Sequence, residues 1–224
     1  MSEKKETQIE GFENVQNALG KSEAFVEHNQ KPLMIGVGAI VLLVCAVLCY
    51  KTYYVAPREQ AAESVIYKAE QYFARDSFRL ALNGDDNVMG FLDIIDEYGS
   101  TKSGKLAKVY AGLCYKNMGE YENAIKYLKT LDADDELLTP AVKGSIGDCY
   151  FELGENGKAI DFYKKAAAVD NEMISPIYLQ RAGVVYLSEG KNAEALALFN
   201  ELKEKYPNTM LGNGVDKYIE LASK

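Results

Sequence analysis

The sequence predicts an all-α chain: a single N-terminal transmembrane helix followed by an α-solenoid of stacked helix pairs. Two observations predict it. Gly112, Tyr115, Gly119 and Ala124 recur as Gly147, Tyr150, Gly154 and Ala159, then as Gly183, Tyr186, Gly190 and Ala195, 35 and then 36 residues apart. A fixed period in that range marks helical units that bury their apolar faces only by stacking. Between Lys31 and Lys51 the chain carries no charge, and ten of the residues from Leu33 to Tyr50 are Leu, Ile or Val.

Residues 1–31 form a short segment in which Ile9, Phe12, Val15 and Leu19 fall on one helical face, and Thr7 and Glu10 have the spacing of a capping box. Two readings stay open for it: a solvated amphipathic helix or tail, and a docking helix for a cytoplasmic partner or the membrane surface. Residues 32–55 are the expected transmembrane helix. About 18 residues at about 1.5 Å each nearly span a hydrocarbon core of about 30 Å, and the ten aliphatic residues favour insertion by roughly 3 to 6 kcal/mol. Tyr50, Tyr53 and Tyr54 supply rings that seek the interface. A cleaved signal peptide competes, but the preceding segment is long and rich in Glu, the apolar run exceeds an ordinary signal core, and Pro57 follows Val55-Ala56. Neither Cys45 nor Cys49 follows the small residue of a lipoprotein cleavage site. These two thiols are lipid-facing small residues or acylation sites. Lys21 and Lys31 on one side, and Lys51, Arg58 and Lys68 on the other, leave the orientation undecided by charge.

Residues 57–224 are the solenoid domain. A degenerate unit, 58–100, opens after Pro57 with the stripe Ala62, Val65, Ile66, Ala69, Tyr72 and Phe73 and continues with Val88, Phe91, Leu92, Ile94 and Ile95. Its ending, Tyr98-Gly99-Ser100-Thr101, is echoed by Tyr206-Pro207-Asn208-Thr209. An insertion from Asp76 to Asp86 separates its helices, with a turn at Asn83-Gly84, and Asp85 and Asp86 are expected to cap the helix of Phe91. Three repeats follow at about 105–138, 140–173 and 176–209. In each, the first glycine admits the partner helix, the second ends the first helix in a left-handed conformation, and the alanine keeps the second helix close. Leu128, Tyr163 and Phe199 then face inward. A capping helix, 213–223, is expected to start at Asn213 and to pack Val215, Tyr218, Ile219 and Ala222.

The residue inventory narrows the chemistry. A net charge of −8 gives no basic footprint for nucleic acid. His28 is the sole histidine and precedes the apolar run, so the solenoid has no Ser/His/Asp or Cys/His nucleophile. The cysteines lack zinc spacing, and Cys114 and Cys149 read as small core residues at equivalent positions in adjacent units. Asp132, Asp134, Asp135 and Glu136 read as solvated charge in an inter-repeat turn. The expectation is a non-enzymatic chain with no cofactor and no metal.

The recurring small, aromatic, glycine, alanine and large apolar positions resemble the tetratricopeptide repeat (TPR), and Pro207 matches that family's closing proline. Lys108, Lys143 and Leu179 stand at its large opening position, and Glu136 and Asn171 replace the closing proline in the first two units. The resemblance implies a peptide-binding groove lined by Leu106, Val109, Leu113, Lys116, Asn117, Ala141, Gly144, Asp148, Phe151, Glu152, Ile177, Gln180, Val184, Leu187 and Ser188. That groove is either open or covered by the N-terminal unit or the C-terminal helix. The family's carboxylate clamp is not expected, because Val109, Leu113 and Ile177 stand at clamp positions and only Arg181 matches. A hydrophobic peptide or helix suits this lining instead. The whole layout, with Ser22-Glu23-Ala24-Phe25-Val26-Glu27 before the anchor and Gly90-Phe91-Leu92-Asp93-Ile94-Ile95-Asp96-Glu97-Tyr98 after it, resembles the YfgM-type ancillary subunits of the SecYEG translocon. That resemblance implies a single-pass bacterial inner-membrane protein with a cytoplasmic N-terminus and a periplasmic TPR domain. Its implied partners are translocating polypeptides, chaperones or the translocon; a scaffold or assembly factor of an envelope complex is the alternative.

Overall fold

A computed structural model describes residues 28–131 and 135–224. The amphipathic stripe from Ile9 to Leu19, and Asp132 and Asp134, lie outside the described residues. The chain divides into two compact units, one ending at Pro57 and the other running from Arg58 to Lys224.

In the first unit, helix α1 (Gln30–Tyr50) has no buried residue and is long and apolar enough to cross a membrane. It passes into a π-helical stretch, Lys51–Val55, in which the N–H of Ala56 reaches back to the carbonyl of Lys51. Pro57 explains the widening: its ring crowds the carbonyl four residues earlier and it donates no N–H, so the preceding turn expands to relieve both. Tyr50 and Tyr54 stack across this stretch with centroids 5.2 Å apart.

The second unit begins within α2 (Ala56–Ala74), which buries Ala62, Ile66 and Ala69 at helical spacing. The Glu59 carboxylate accepts the N–H groups of Lys102 and Ser103 at 3.0 and 3.1 Å, so α2 caps a helix more than forty residues away in sequence. Burial opposes ionisation of Glu59, but these hydrogen bonds outweigh it and hold its carboxyl below the ordinary value.

The insertion after α2 is structured rather than open. It forms α3 (Phe78–Asn83) and a two-residue antiparallel hairpin, β1 (Gly84–Asp85) with β2 (Val88–Met89), in the register Gly84↔Met89 and Asp85↔Val88. Asp85 does not cap the next helix. Its Oδ1 accepts the N–H groups of Asn87 and Val88 at 2.8 and 3.0 Å and its Oδ2 accepts the Tyr72 hydroxyl at 2.5 Å, which closes the hairpin and ties it to α2. Asp86 sits in the turn. Helix α4 (Phe91–Tyr98) is capped instead by Gly90, whose N–H reaches Asp93 Oδ2 at 3.3 Å. Phe91, stacked on Tyr110 at 5.0 Å, anchors a first core with Ile66, Ile94, Ala107 and Cys114.

Three antiparallel pairs follow: α5 (Lys102–Asn117) with α6 (Tyr121–Leu128), α7 (Leu138–Glu152) with α8 (Asn156–Ala167), and α9 (Ser175–Ser188) with α10 (Asn192–Lys205). Gly119, Gly154 and Gly190 end the first helices at φ of 80°, 73° and 70°. The residue after each closes a six-to-one hydrogen bond, Glu120 N–H to Tyr115 O at 2.9 Å, Glu155 to Tyr150 at 2.8 Å and Lys191 to Tyr186 at 2.9 Å. This is the Schellman geometry. A Cβ placed on Gly112, Gly147 or Gly183 would lie 2.6, 2.7 or 2.5 Å from Leu128, Tyr163 or Phe199. The missing methyl is therefore the space that the inward residue of the second helix fills.

The corners between units come in two kinds. Thr101 and Thr209 each accept the N–H of the residue three positions on, Gly104 at 2.9 Å and Gly212 at 3.0 Å. Each also donates its hydroxyl to the tyrosine carbonyl three positions back, Tyr98 at 2.7 Å and Tyr206 at 2.9 Å. The echo between the two segments is thus one piece of local structure used twice. At the middle corners, Asp135 accepts from Leu137 and Leu138 while its own N–H bonds Thr139, and Asn171 accepts from Met173 and Ile174 while its N–H bonds Ser175. Asp135 therefore folds back on the start of α7 and is not simply solvated charge.

The stack ends with α11 (Met210–Asn213) and α12 (Asp216–Ala222). Asn213 terminates α11, whose cap is Thr209, and Val215 precedes α12. Val215 is fully buried and Tyr218 stacks on Phe199 at 5.3 Å, so α12 covers α10.

Candidate functional site

The first helices α5, α7 and α9 lie side by side and share one face. On it, Asp148 of α7 receives a cation from each neighbour: Lys116 Nζ of α5 lies 2.5 Å from Oδ2, and Arg181 Nη1 of α9 lies 2.5 Å from Oδ1. Tyr163, on α8 beneath, donates its hydroxyl to the same Oδ1 at 2.9 Å. Burial first, and then the Asp148 carboxylate, push the Tyr163 hydroxyl well above its ordinary value, so it stays a donor at neutral pH. Tyr178 of α9 lies over Gly144, where a Cβ would stand 2.0 Å from its ring. The Tyr178 ring stacks on Tyr163 at 6.2 Å, and the Arg181 guanidinium covers it at 5.6 Å. Burial raises the Tyr178 hydroxyl, against the pull of Arg181.

Two cavities adjoin this junction. One, of about 360 Å³, is lined by Lys116, Asn117, Tyr121, Asp148, Phe151, Glu152, Tyr163 and Arg181. The other, of about 250 Å³, is lined by Asp148, Phe151, Tyr163, Gln180, Arg181, Val184 and Val185. Phe151, Ile177 and Val184 remain 41%, 38% and 39% exposed. Among the described residues, α12 packs on the second helix α10, away from this face.

The sequence-derived groove positions divide accordingly. Lys116, Asn117, Asp148, Phe151, Glu152, Gln180 and Val184 come together around the two cavities. Ile177 is exposed on α9 beyond them. Leu106 packs against the first core, and Leu113 and Leu187 pack half-buried against the second. Val109 is 3% exposed and belongs to the core. Asn117 bonds the Leu113 carbonyl of its own helix at 3.0 Å. Sequence reasoning left out Tyr163 and Tyr178 as members of this face. The signal that points to Tyr178 is Gly144, a glycine in mid-helix whose close neighbour is the Tyr178 ring.

Among the described residues, no group of three His, Cys, Asp or Glu side chains could hold a metal ion. Residues 111–132 and 141–173 match one tetratricopeptide repeat family model, and residues 178–209 match another. Over those segments the helix pairs match the tetratricopeptide repeat, and the fold is a solenoid of that kind. Similar solved structures include nearly identical TPR-like repeats from a Podosopora anserina protein described as a kinesin light chain, 14% identical with a TM-score of 0.55 over 71% of this chain and 84% of that one. MamA protein is 16% identical with a TM-score of 0.52, over 74% of this chain and 90% of that one. At such identity these likenesses carry the fold alone. No curated protein matches the chain. Repeats of this kind indicate a protein–protein interaction module.

Proposed function

We propose that this chain is a membrane-tethered binding module: α1 anchors it, and the shared face of α5, α7 and α9 holds an extended apolar segment of a partner protein. The observation that carries the reading is the exposure of Phe151 and Val184, which line the two cavities, and of Ile177 on the same helix as Val184. Anchoring raises the effective concentration of such a face near its partner, so a weak site suffices. The resemblance to YfgM-type subunits supports a bacterial inner-membrane location, a cytoplasmic N-terminus and a periplasmic repeat domain. On this reading the partners are translocating polypeptides, periplasmic chaperones or the translocon.

The test is photo-crosslinking in cells from Val184 of the full chain, combined with protease accessibility for sidedness. Adducts with the translocon or with chains in transit are expected, and Phe151→Asp should reduce them about tenfold or more. Adducts only with outer-membrane assembly factors would discard the translocon version. A second reading, a scaffold for an envelope complex, is favoured by Leu137 and Met173, which are 58% and 78% exposed at equivalent corners away from the cavities. It expects a discrete oligomer on sizing in mild detergent, with the crosslinks from Val184 unaltered by Phe151→Asp.

A further inference from the structure

Three successive first helices contribute one charged side chain each to a single junction. Lys116 and Arg181 hold separate oxygens of Asp148, each at 2.5 Å, and the Tyr163 hydroxyl adds a third donor at 2.9 Å. The carboxylate side chain is 20% exposed and the two cations 27% and 44%, so the group is partly desolvated, and its Coulomb attractions are stronger than those of a surface pair. Any carboxylate brought by a partner would have to displace Asp148 from both cations. Glu152, exposed on the same cavity, adds a second negative charge. Lys116 and Arg181 are thereby offset by Asp148 and Glu152, and an acidic side chain gains no net attraction on arrival.

We infer that Asp148 is a built-in counter-ion that determines specificity: it closes the Lys116–Arg181 seat and reserves the face for apolar segments without acidic residues. This deepens the proposed function and rests on it. The apolar surface of Phe151 and Val184 supplies the attraction, and Asp148 supplies the discrimination by leaving an incoming carboxylate with no unpaired cation to meet. Replacing the carboxylate by an amide keeps the shape and leaves one acceptor for Tyr163, but it releases both cations.

The experiment uses the full chain in mild detergent and two fluorescein-labelled decapeptides of alternating Leu and Ser, identical except for one central Gln or Glu, read by fluorescence anisotropy. The native chain is expected to bind the Gln peptide about tenfold more tightly than the Glu peptide. Asp148→Asn should reverse that order, and about 0.5 M salt should erase the reversal. Adding Lys116→Gln and Arg181→Gln to Asp148→Asn should abolish the gain for the Glu peptide. Arg181→Gln alone, at an exposed position that leaves the Lys116 pair intact, should widen the native discrimination and serves as the test if Asp148→Asn does not fold. Equal binding of the two peptides by the native chain, an unchanged order in Asp148→Asn, or unchanged discrimination in Arg181→Gln overturns the inference while leaving the groove reading intact. Failure of either peptide to bind any form overturns the groove reading and this inference with it.

Discussion

The packing rule of this solenoid is written one residue at a time: a glycine on the first helix for each large side chain on the second. Because Phe199 has a rigid ring and no alternative space, Gly183→Ala forces its Cβ to within 2.5 Å of that ring. We expect a loss of about 1–3 kcal/mol from overpacking, partly offset by about 1 kcal/mol of helix propensity, in urea unfolding of the full chain in mild detergent. Gly157, on α8, has no atom within 4 Å of its would-be Cβ, so Gly157→Ala should stabilise the chain in the same measurement. Gly112, Gly147 and Gly183 are legible in the sequence because each answers a partner within its own unit. Tyr178 is not legible in that way. Its ring crosses from one unit to the next to lie over Gly144 and Tyr163, and that contact depends on how the units are rotated against each other, which periodicity does not encode. The Lys116–Asp148–Arg181 junction is hidden for the same reason: its members belong to three units, and only Arg181 matches the family's clamp pattern.

At the scale of elements, the corners show how one period accommodates two chemistries. Gly104, Pro140, Pro176 and Gly212 recur at a fixed interval of 36 residues. At the two glycines, a Cβ would come within 2.0 and 1.9 Å of the Tyr98 and Tyr206 carbonyl oxygens. At the two prolines, Asp135 and Asn171 take over the capping. Asp135 and Asn171 make the same bonds, but only Asp135 titrates. The N–H groups of Leu138 and Leu137 hold its carboxyl below the ordinary value of 3.8. A depressed folded value means that its contribution is complete above the unfolded value and disappears as pH falls through the folded one. Urea midpoints of the native chain should therefore fall more steeply below about pH 4 than those of Asp135→Asn. The sequence hides this role because Asp135 stands in a run of acidic residues that has the composition of a solvated turn. The hairpin after α3 was equally obscure, since its two short strands depend on Asp85 meeting Tyr72 from another element.

At the scale of the whole molecule, the second unit is a stack in which each pair is held by its neighbours, so stability is local and the ends matter most. Deleting residues 210–224 would uncover Phe199 and remove the fully buried Val215. Hydrogen exchange should then accelerate in α10 and α9 while α5 keeps its native protection; uniform acceleration along the stack would contradict this neighbour-by-neighbour picture. The same enclosure governs sulfur chemistry. Burial pushes the Cys114 thiol to about 12 and the Cys149 thiol to about 11, far from the thiolate form that reacts with oxidants or alkylating reagents. Held closed, the repeats leave both sulfurs chemically silent even in an oxidising compartment, and a mixed disulfide at either one would record that the stack had opened.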